Sequence, residues 1–208
     1  MTLANKITIA RISIIPIMIL MVSIPSLNKP ENAIMLQMTI GQFIFAILFI
    51  VAAATDFLDG YLARSRNEIT TFGKFLDPIA DKILVLTALV FMTRFPYWKD
   101  LNYDYNLYIL IGILIIVIRE FVITGVRLIA VDKGVVISAS PLGKAKTFAT
   151  MIAIIIMLFN GFNIISNIGD GKIFDYISMG AFWIALVLTI LSGIDYIIRN
   201  RAIILESI

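Results

Sequence analysis

The 208-residue sequence predicts an all-α integral membrane protein with six transmembrane helices, an N-terminal amphipathic segment and both termini in the cytoplasm. Three observations lead to this prediction. Hydrophobic residues make up 60% of the chain and charged residues only 15%, against roughly 25% charged in soluble domains. The apolar residues fall into six runs, each of which can form or extend into a membrane span. Lysine and arginine lie mostly on one side of those spans, which sets the orientation.

The six apolar runs cover residues 13–24, 40–57, 83–95, 107–129, 148–165 and 176–198. The first run can cross a bilayer only if residues 3–12 add an amphipathic turn or two at the membrane surface, and the third only if its helix begins at Phe72. A cleavable signal is the alternative for the first run, but no clear cleavage motif follows it. Because we find no repeat, low-complexity tract or linker, we predict a single domain over residues 1–208.

The positive charges place both termini in the cytoplasm, because the cytoplasmic side of a membrane protein is enriched in lysine and arginine. Four of the seventeen basic residues fall on the outer side: Lys29, Arg94, Lys99 and Lys172. The other thirteen fall on the inner side: Lys6, Arg11, Arg64, Arg66, Lys74, Lys82, Arg119, Arg127, Lys133, Lys144, Lys146, Arg199 and Arg201. The net charge of +3 is small and dispersed, so we expect no nucleic-acid partner.

The chemistry of this chain must depend on carboxylates, because the sequence contains no cysteine and no histidine. Four aspartates lie within 26 residues at the cytoplasmic ends of the second and third spans: Asp56, Asp59, Asp77 and Asp81. An aspartate inside a membrane costs roughly 2.5–3.5 kcal/mol, so such a cluster needs water or cations. Spacings of three and four residues put each pair on one helix face. The short polar connection at residues 64–71 predicts an antiparallel hairpin that brings the four carboxylates together.

Converging carboxylates favour hard divalent cations such as Mg²⁺, Mn²⁺ or Ca²⁺, and several of them suit a pair of ions that binds phosphate. Gly60 and Gly73 lie close to the aspartates, where a missing side chain lets a ligand approach the backbone. Ala63 extends this small surface, and Arg64 adds a cationic fork suited to phosphate.

Two other interpretations of these aspartates remain at this point. Asp59 with Arg64, or Asp77 with Lys74, could form ordinary ion pairs at a helix end. Acids within a membrane also line the pathways of cation transporters and channels. Neither interpretation accounts for the whole set of aspartates, glycines and arginine at once.

Residues 56–81 read DFLDGYLARSRNEITTFGKFLDPIAD, which has the form DxxDGxxARx8GxxxDxxxD. This segment resembles the signature of the CDP-alcohol phosphatidyltransferase family at every fixed position. Members of that family are six-helix membrane enzymes that displace CMP from a CDP-linked donor with an alcohol. The resemblance implies that Asp56, Asp59 and Asp77 hold the divalent ions, a pair of Mg²⁺ or Mn²⁺. It also implies that Asp81 completes the metal site and acts as the general base.

The resemblance further implies a CDP-donor site, formed by Asp56, Asp59, Gly60, Ala63, Arg64 and Gly73. Direct in-line attack of the alcohol is the expected course. Displacement through a phosphorylated aspartate stays open, because the sequence does not exclude it.

Cationic residues in the second half of the chain point to an anionic acceptor alcohol. Arg119, Arg127, Lys144 and Lys146 are the predicted acceptor-phosphate residues, because an arginine within a membrane and lysines at a helix N-terminus both favour an anion. The segments NKITIARI, REF, VRLIA and GKAKT resemble the bacterial branch of the family that uses sn-glycerol 3-phosphate. That branch transfers the phosphatidyl group of CDP-diacylglycerol in the bacterial plasma membrane, giving phosphatidylglycerophosphate and CMP.

Alternatives also remain on the acceptor side. The acceptor could instead be inositol phosphate, serine or phosphatidylglycerol. Arg119 could pair with Glu120 or another buried acid, and the lysines could contact membrane lipids. Asp195 could pair with Arg199 or border the acceptor pocket. Small-residue faces at Gly112 and 178–181 suit helix packing within or between subunits, which leaves a homodimer open.

The roles of the polar residues near the N-terminus are not fixed by the sequence. Asn5, Thr8 and Arg11 could form a surface helix against the donor headgroup, or they could belong to an amphipathic anchor.

Overall fold

The protein is described here by a computed structural model that covers residues 3–29, 33–35, 38–66, 71–92, 105–135, 137, 140–161 and 171–201. Within this part lie six helices: α1 (Leu3–Ser23), α2 (Ile40–Arg66), α3 (Thr71–Met92), α4 (Tyr105–Asp132), α5 (Pro141–Gly161) and α6 (Gly171–Arg199). A short 3-10 helix, Pro25–Leu27, and a two-stranded antiparallel ribbon of β1 (Ala33–Met35) and β2 (Met38–Thr39) connect α1 to α2. The described part is therefore mainly helical, as predicted, and the short ribbon is the β structure within it.

The chain divides into two compact units, which we describe separately. The first unit consists of Met1–Phe95 with Leu158–Gly171 and contains α1, α2 and α3. In this unit α1 packs against both α2 and α3. The rings of Phe45, near the start of α2, and Phe91, near the end of α3, stack with centroids 4.3 Å apart. This contact joins opposite ends of the two helices, so the predicted antiparallel arrangement of α2 and α3 is confirmed.

The second unit consists of Pro96–Met157 with Lys172–Ile208 and contains α4, most of α5 and α6. One face of α6 is buried at alternating spacings of four and three residues: Ser178, Phe182, Ala185, Thr189, Ser192 and Tyr196. This period keeps a single stripe of the helix in contact with its neighbours. Gly112 of α4 lies against this stripe, since a Cβ atom there would meet the Phe182 ring at 2.7 Å. Gly112 therefore serves packing within the chain.

Three helices of the described part are long and apolar enough to cross a membrane: Leu107–Val131, Pro141–Phe159 and Tyr176–Arg199. The segments Ile7–Ser23 and Ile40–Thr55 are apolar but shorter. Large apolar side chains also cover the outside of these helices, as at Leu128 and Phe148, which are 67% and 70% exposed. Exposure on this scale is typical of a surface that faces lipid. The six predicted spans and the positions of the termini stay predictions.

The fifth span begins earlier than the sequence pattern predicted. The predicted apolar run begins at residue 148, but α5 starts at Pro141. Proline is favoured at the first helical position, where its missing N–H is no loss. The Ser140 Oγ atom accepts a hydrogen bond from the Gly143 N–H at 3.1 Å and so caps the helix. The serine–proline pair was therefore the signal for this boundary, and GKAKT lies within the first turns of α5.

The start of α2 is held against the end of α1 by a polar network. Thr39 and Gln42 form a capping box: Gln42 Oε1 accepts from the Thr39 N–H at 3.1 Å, and the Gln42 N–H donates to Thr39 Oγ1 at 3.4 Å. Asn28 Nδ2 donates to the carbonyl oxygen of Met21 at 3.0 Å, and Asn28 Oδ1 accepts from Thr39 Oγ1 at 2.8 Å. Gly41 lies inside this network, since an added Cβ atom would be 2.3 Å from the Met21 carbonyl oxygen.

We expect Gly41→Ala to destabilise the protein, because the methyl group would collide with backbone rather than with a flexible side chain. Overpacking of this kind typically costs about 1–3 kcal/mol, which corresponds to a fall in Tm of roughly 3–10 °C. Thermal unfolding of the purified protein in detergent measures the change. Gly180→Ala is the matched control, because none of the described residues lies within 4 Å of a Cβ atom at that position. Equal Tm values for the two variants would contradict the close approach at Gly41.

Candidate active site

The aspartate signature lies on two neighbouring helices of the first unit. Asp56 and Asp59 belong to α2, and Asp77 and Asp81 belong to α3. For the other predicted signature residues the structure describes the helix alone and not the surroundings of the residue: Asp56, Asp59, Gly60, Ala63, Arg64, Gly73 and Asp77. The ion pairs considered above as alternatives, which involve Arg64 and Lys74, lie outside the described part of the structure. The predicted convergence of four carboxylates therefore stays a prediction, with Asp81 as its described member.

Asp81 is paired with an arginine from the first helix. Arg11 Nη1 donates to Asp81 Oδ1 at 3.0 Å, across 70 residues of sequence. Arg11 is buried, with only 1% of its surface exposed, and Thr8 one turn earlier is also buried. Both side chains are therefore covered by protein, and their predicted position at the membrane surface stays a prediction. The amphipathic pattern of residues 3–12 did not show that the polar face is covered by neighbouring helices.

The donor chemistry at Asp81 fits a hard divalent cation. Its carboxylate supplies oxygen donors and its side chain is 46% exposed, so a cation has access to it. Oxygen ligands without imidazole or thiolate select Mg²⁺ or Mn²⁺ rather than zinc. Among the described residues no three acidic side chains lie close enough to hold a metal ion. The side chains of the other three predicted ligands lie outside the described part of the structure, so the pair of metal ions stays a prediction.

The second unit contains a cluster of charged side chains, which we call the basic cluster: Arg119 and Glu120 on α4 and Lys146 on α5. One carboxylate oxygen, Glu120 Oε1, accepts from Arg119 Nη1 at 3.0 Å and from Lys146 Nζ at 2.5 Å. Arg119 Nη2 also donates to Ser192 Oγ on α6 at 3.0 Å. The cluster thus ties three helices together. The alternative pairing of Arg119 with Glu120 is confirmed.

Several N–H donors of the basic cluster have no acceptor among the described residues. A guanidinium group has five N–H donors and an ammonium group has three. Among the described residues, two donors of Arg119 and one of Lys146 are used, and the buried Nε of Arg119 has no partner there. Two cations and one carboxylate also leave the cluster with a net charge of +1. Partly buried cations with unused donors are suited to binding an anion.

Two members of this region were not predicted as site residues. Ser192 orients the guanidinium of Arg119, and its own hydroxyl donates to the Thr189 carbonyl oxygen at 3.0 Å. Gly193 lets the arginine lie against α6, because a Cβ atom there would be 3.1 Å from Arg119 Cγ. The signal that could have found Ser192 is the four–three spacing of small and polar residues along α6.

The remaining predicted acceptor residues differ in their surroundings. Arg127 lies with its guanidinium carbon 5.6 Å from the centre of the Tyr196 ring, at a distance suited to a cation–π contact. Lys144 is exposed on the first turn of α5, whereas Lys146 is buried. Asp195 Oδ1 accepts from Arg199 Nε at 2.7 Å, which confirms the pairing of these two residues. The structure therefore brings Arg119 and Lys146 into one cluster but not Lys144.

Comparison with known proteins identifies the relatives of this chain. The family model described as CDP-alcohol phosphatidyltransferase matches residues 1–191. A Bacillus subtilis (strain 168) protein named CDP-diacylglycerol--glycerol-3-phosphate 3-phosphatidyltransferase is 38% identical over 207 residues, which cover 95% of this chain and 94% of the relative. Proteins of the same name are 36% identical in Rickettsia felis, covering 93% and 92%, and 31% identical in Shigella flexneri, covering 96% and 94%.

Proposed function

Because the chain belongs to the CDP-alcohol phosphatidyltransferase family, we propose that it transfers the phosphatidyl group of CDP-diacylglycerol to sn-glycerol 3-phosphate. The observation that carries this proposal is near full-length similarity to relatives named for this reaction, at 31–38% identity. The chain also contains every fixed position of the aspartate signature. The products are phosphatidylglycerophosphate and CMP.

The proposed reaction is a single displacement at phosphorus. The primary hydroxyl oxygen of glycerol 3-phosphate forms a bond to the phosphorus of the phosphatidyl group, and the bond from that phosphorus to CMP breaks. Asp81 accepts the hydroxyl proton as general base. Asp56, Asp59, Asp77 and Asp81 would hold two divalent ions, Mg²⁺ or Mn²⁺, which when bound neutralise charge on the pyrophosphate and the leaving CMP.

We assign binding of the CDP group to the rest of the signature on α2 and α3. Gly60, Ala63 and Gly73 have little or no side chain, which allows a nucleotide to approach the helix backbone. Arg64 supplies a planar cation for a phosphate. Asp56 and Asp59 complete the donor-binding set.

Recognition of the acceptor phosphate is assigned to Arg119, Arg127, Lys144 and Lys146. The unused N–H donors of Arg119 and Lys146 support this assignment, since a phosphate accepts several charge-assisted hydrogen bonds at once. The cluster's net positive charge favours a phosphorylated alcohol over serine, which carries no phosphate. Inositol phosphate also carries a phosphate, so the charge of the cluster does not separate it from glycerol 3-phosphate. A comparison of the two acceptors in the activity assay does.

The six-span topology, with both termini and the reaction on the cytoplasmic side of a bacterial plasma membrane, is also part of the proposal. It is supported by the three membrane-spanning candidates in the described residues and by the distribution of lysine and arginine. The family model runs from residue 1 to residue 191, through both units, which supports one catalytic domain. A homodimer stays a prediction.

Release of CMP from CDP-diacylglycerol, with the purified protein in lipid nanodiscs and Mg²⁺ or Mn²⁺ present, tests the function. We expect glycerol 3-phosphate to support the highest kcat/KM among glycerol 3-phosphate, inositol phosphate, serine and phosphatidylglycerol. A higher value with another alcohol would overturn the acceptor assignment and keep the chemistry. No release with any alcohol, together with metal flux in proteoliposomes, would instead favour a cation transporter.

A further inference from the structure

We propose that Arg11 is a positioning residue that holds the carboxylate of Asp81 in its working orientation. This inference rests on the proposed function, in which Asp81 is the general base. The observation that supports it is the 3.0 Å hydrogen bond from Arg11 Nη1 to Asp81 Oδ1. Arg11 matches no position of the aspartate signature, which begins 45 residues further along the chain.

Burial is unequal within this pair. The Arg11 side chain is fully covered, whereas the Asp81 side chain is 46% exposed. A basic residue that only anchors a helix at the cytoplasmic surface extends its charge into water. Arg11 does the opposite, and a guanidinium can be buried only where a partner compensates its charge. Simple anchoring therefore does not account for Arg11.

Stability alone also does not explain an arginine at this position. Replacing buried ion pairs by apolar side chains of similar volume is often neutral or stabilising. What the arginine adds is a directed, charge-assisted hydrogen bond from a planar guanidinium to Asp81 Oδ1, which helps to set the orientation of the carboxylate.

Both ends of the pair are attached to well-packed helix faces. Arg11 lies in the buried stripe of α1, three residues after Thr8 and four before Ile15. On α3, the neighbouring Ala80 has no exposed surface, and Leu84 one turn later is 1% exposed. Because neither helix face can shift without breaking these contacts, the bond from Arg11 fixes one carboxylate oxygen relative to both helices. Catalytic groups need placement within about 0.5 Å.

This role predicts that replacing Arg11 lowers turnover without weakening metal binding. The guanidinium repels a divalent cation and competes with it for the carboxylate, so its removal leaves metal binding unchanged or makes it tighter. The same removal takes away the hydrogen bond that orients Asp81 Oδ1, so turnover falls. A defect in folding would instead weaken both properties together.

The test compares Arg11→Met, which keeps much of the side-chain volume, with Arg11→Lys, which keeps the charge without the fork. Steady-state CMP release gives kcat, and electron paramagnetic resonance of Mn²⁺ without substrate gives the metal Kd. For Arg11→Met we expect kcat to fall by at least about thirtyfold, within the range that general-base catalysis contributes, with the Mn²⁺ Kd unchanged or lower. For Arg11→Lys we expect an intermediate kcat. Arg201→Met, a change at an exposed arginine, is the matched control.

Two results would overturn the inference: a kcat of Arg11→Met that falls by less than about thirtyfold, or a parallel loss of kcat and Mn²⁺ affinity. If Arg11→Met cannot be recovered as folded protein, Arg11→Lys decides between the same outcomes. Failure of the proposed function looks different, because the unaltered protein itself would then release no CMP.

Discussion

Asp81→Asn should reduce kcat for CMP release by about a hundredfold to ten-thousandfold, the usual contribution of a general base. The substitution removes the proton acceptor but keeps the size of the side chain and an oxygen that can accept from Arg11. We therefore expect the protein to remain folded and to retain much of its affinity for the donor. Single-turnover CMP release and equilibrium binding of CDP-diacylglycerol measure the two properties separately.

Asp56→Asn and Asp77→Asn provide the comparison for Asp81. Both should lower turnover and also raise the Mn²⁺ concentration needed for half-maximal activity, because these residues are proposed as metal ligands without a role as base. Equal losses of donor affinity in all three variants would contradict the separate role of Asp81.

Arg119→Ala should raise the KM for glycerol 3-phosphate by roughly 10- to 100-fold, because charge-assisted hydrogen bonds contribute about 1.5–3 kcal/mol and 1.4 kcal/mol is a factor of ten. Glu120 keeps Lys146 as its partner in this variant, so the remaining carboxylate is not left uncompensated. The KM for CDP-diacylglycerol should change little. Initial rates with each substrate varied in turn measure both constants.

Arg201→Ala controls for the loss of an exposed positive charge. Lys144→Ala should raise the acceptor KM less than Arg119→Ala does, because Lys144 is exposed and Arg119 belongs to the partly buried cluster. An unchanged acceptor KM in Arg119→Ala, combined with a lower Tm, would show that the pair of Arg119 with Glu120 serves structure alone.

The site residues illustrate the limits of sequence interpretation. The aspartate signature was recognisable because its residues lie close together in sequence at helical spacings, and the family model confirms that resemblance. Arg11 and Ser192 were not predicted as site residues, because their partners lie 70 and 73 residues away. No local period reports a contact of that kind. The early start of α5 was missed for a different reason, since its serine–proline signal is local but was not used.

The sequence by itself determined the helical class, the absence of histidine and cysteine, and the family, because composition, periodicity and closely spaced motifs are local properties of the chain. Tertiary structure decided which charges meet. It buried Arg11 beneath Asp81 within the first unit, and it joined Arg119 and Lys146 through one oxygen of Glu120 within the second. The physical reason is that the partner of a buried charge is chosen by helix packing, and packing brings together residues that the sequence keeps far apart.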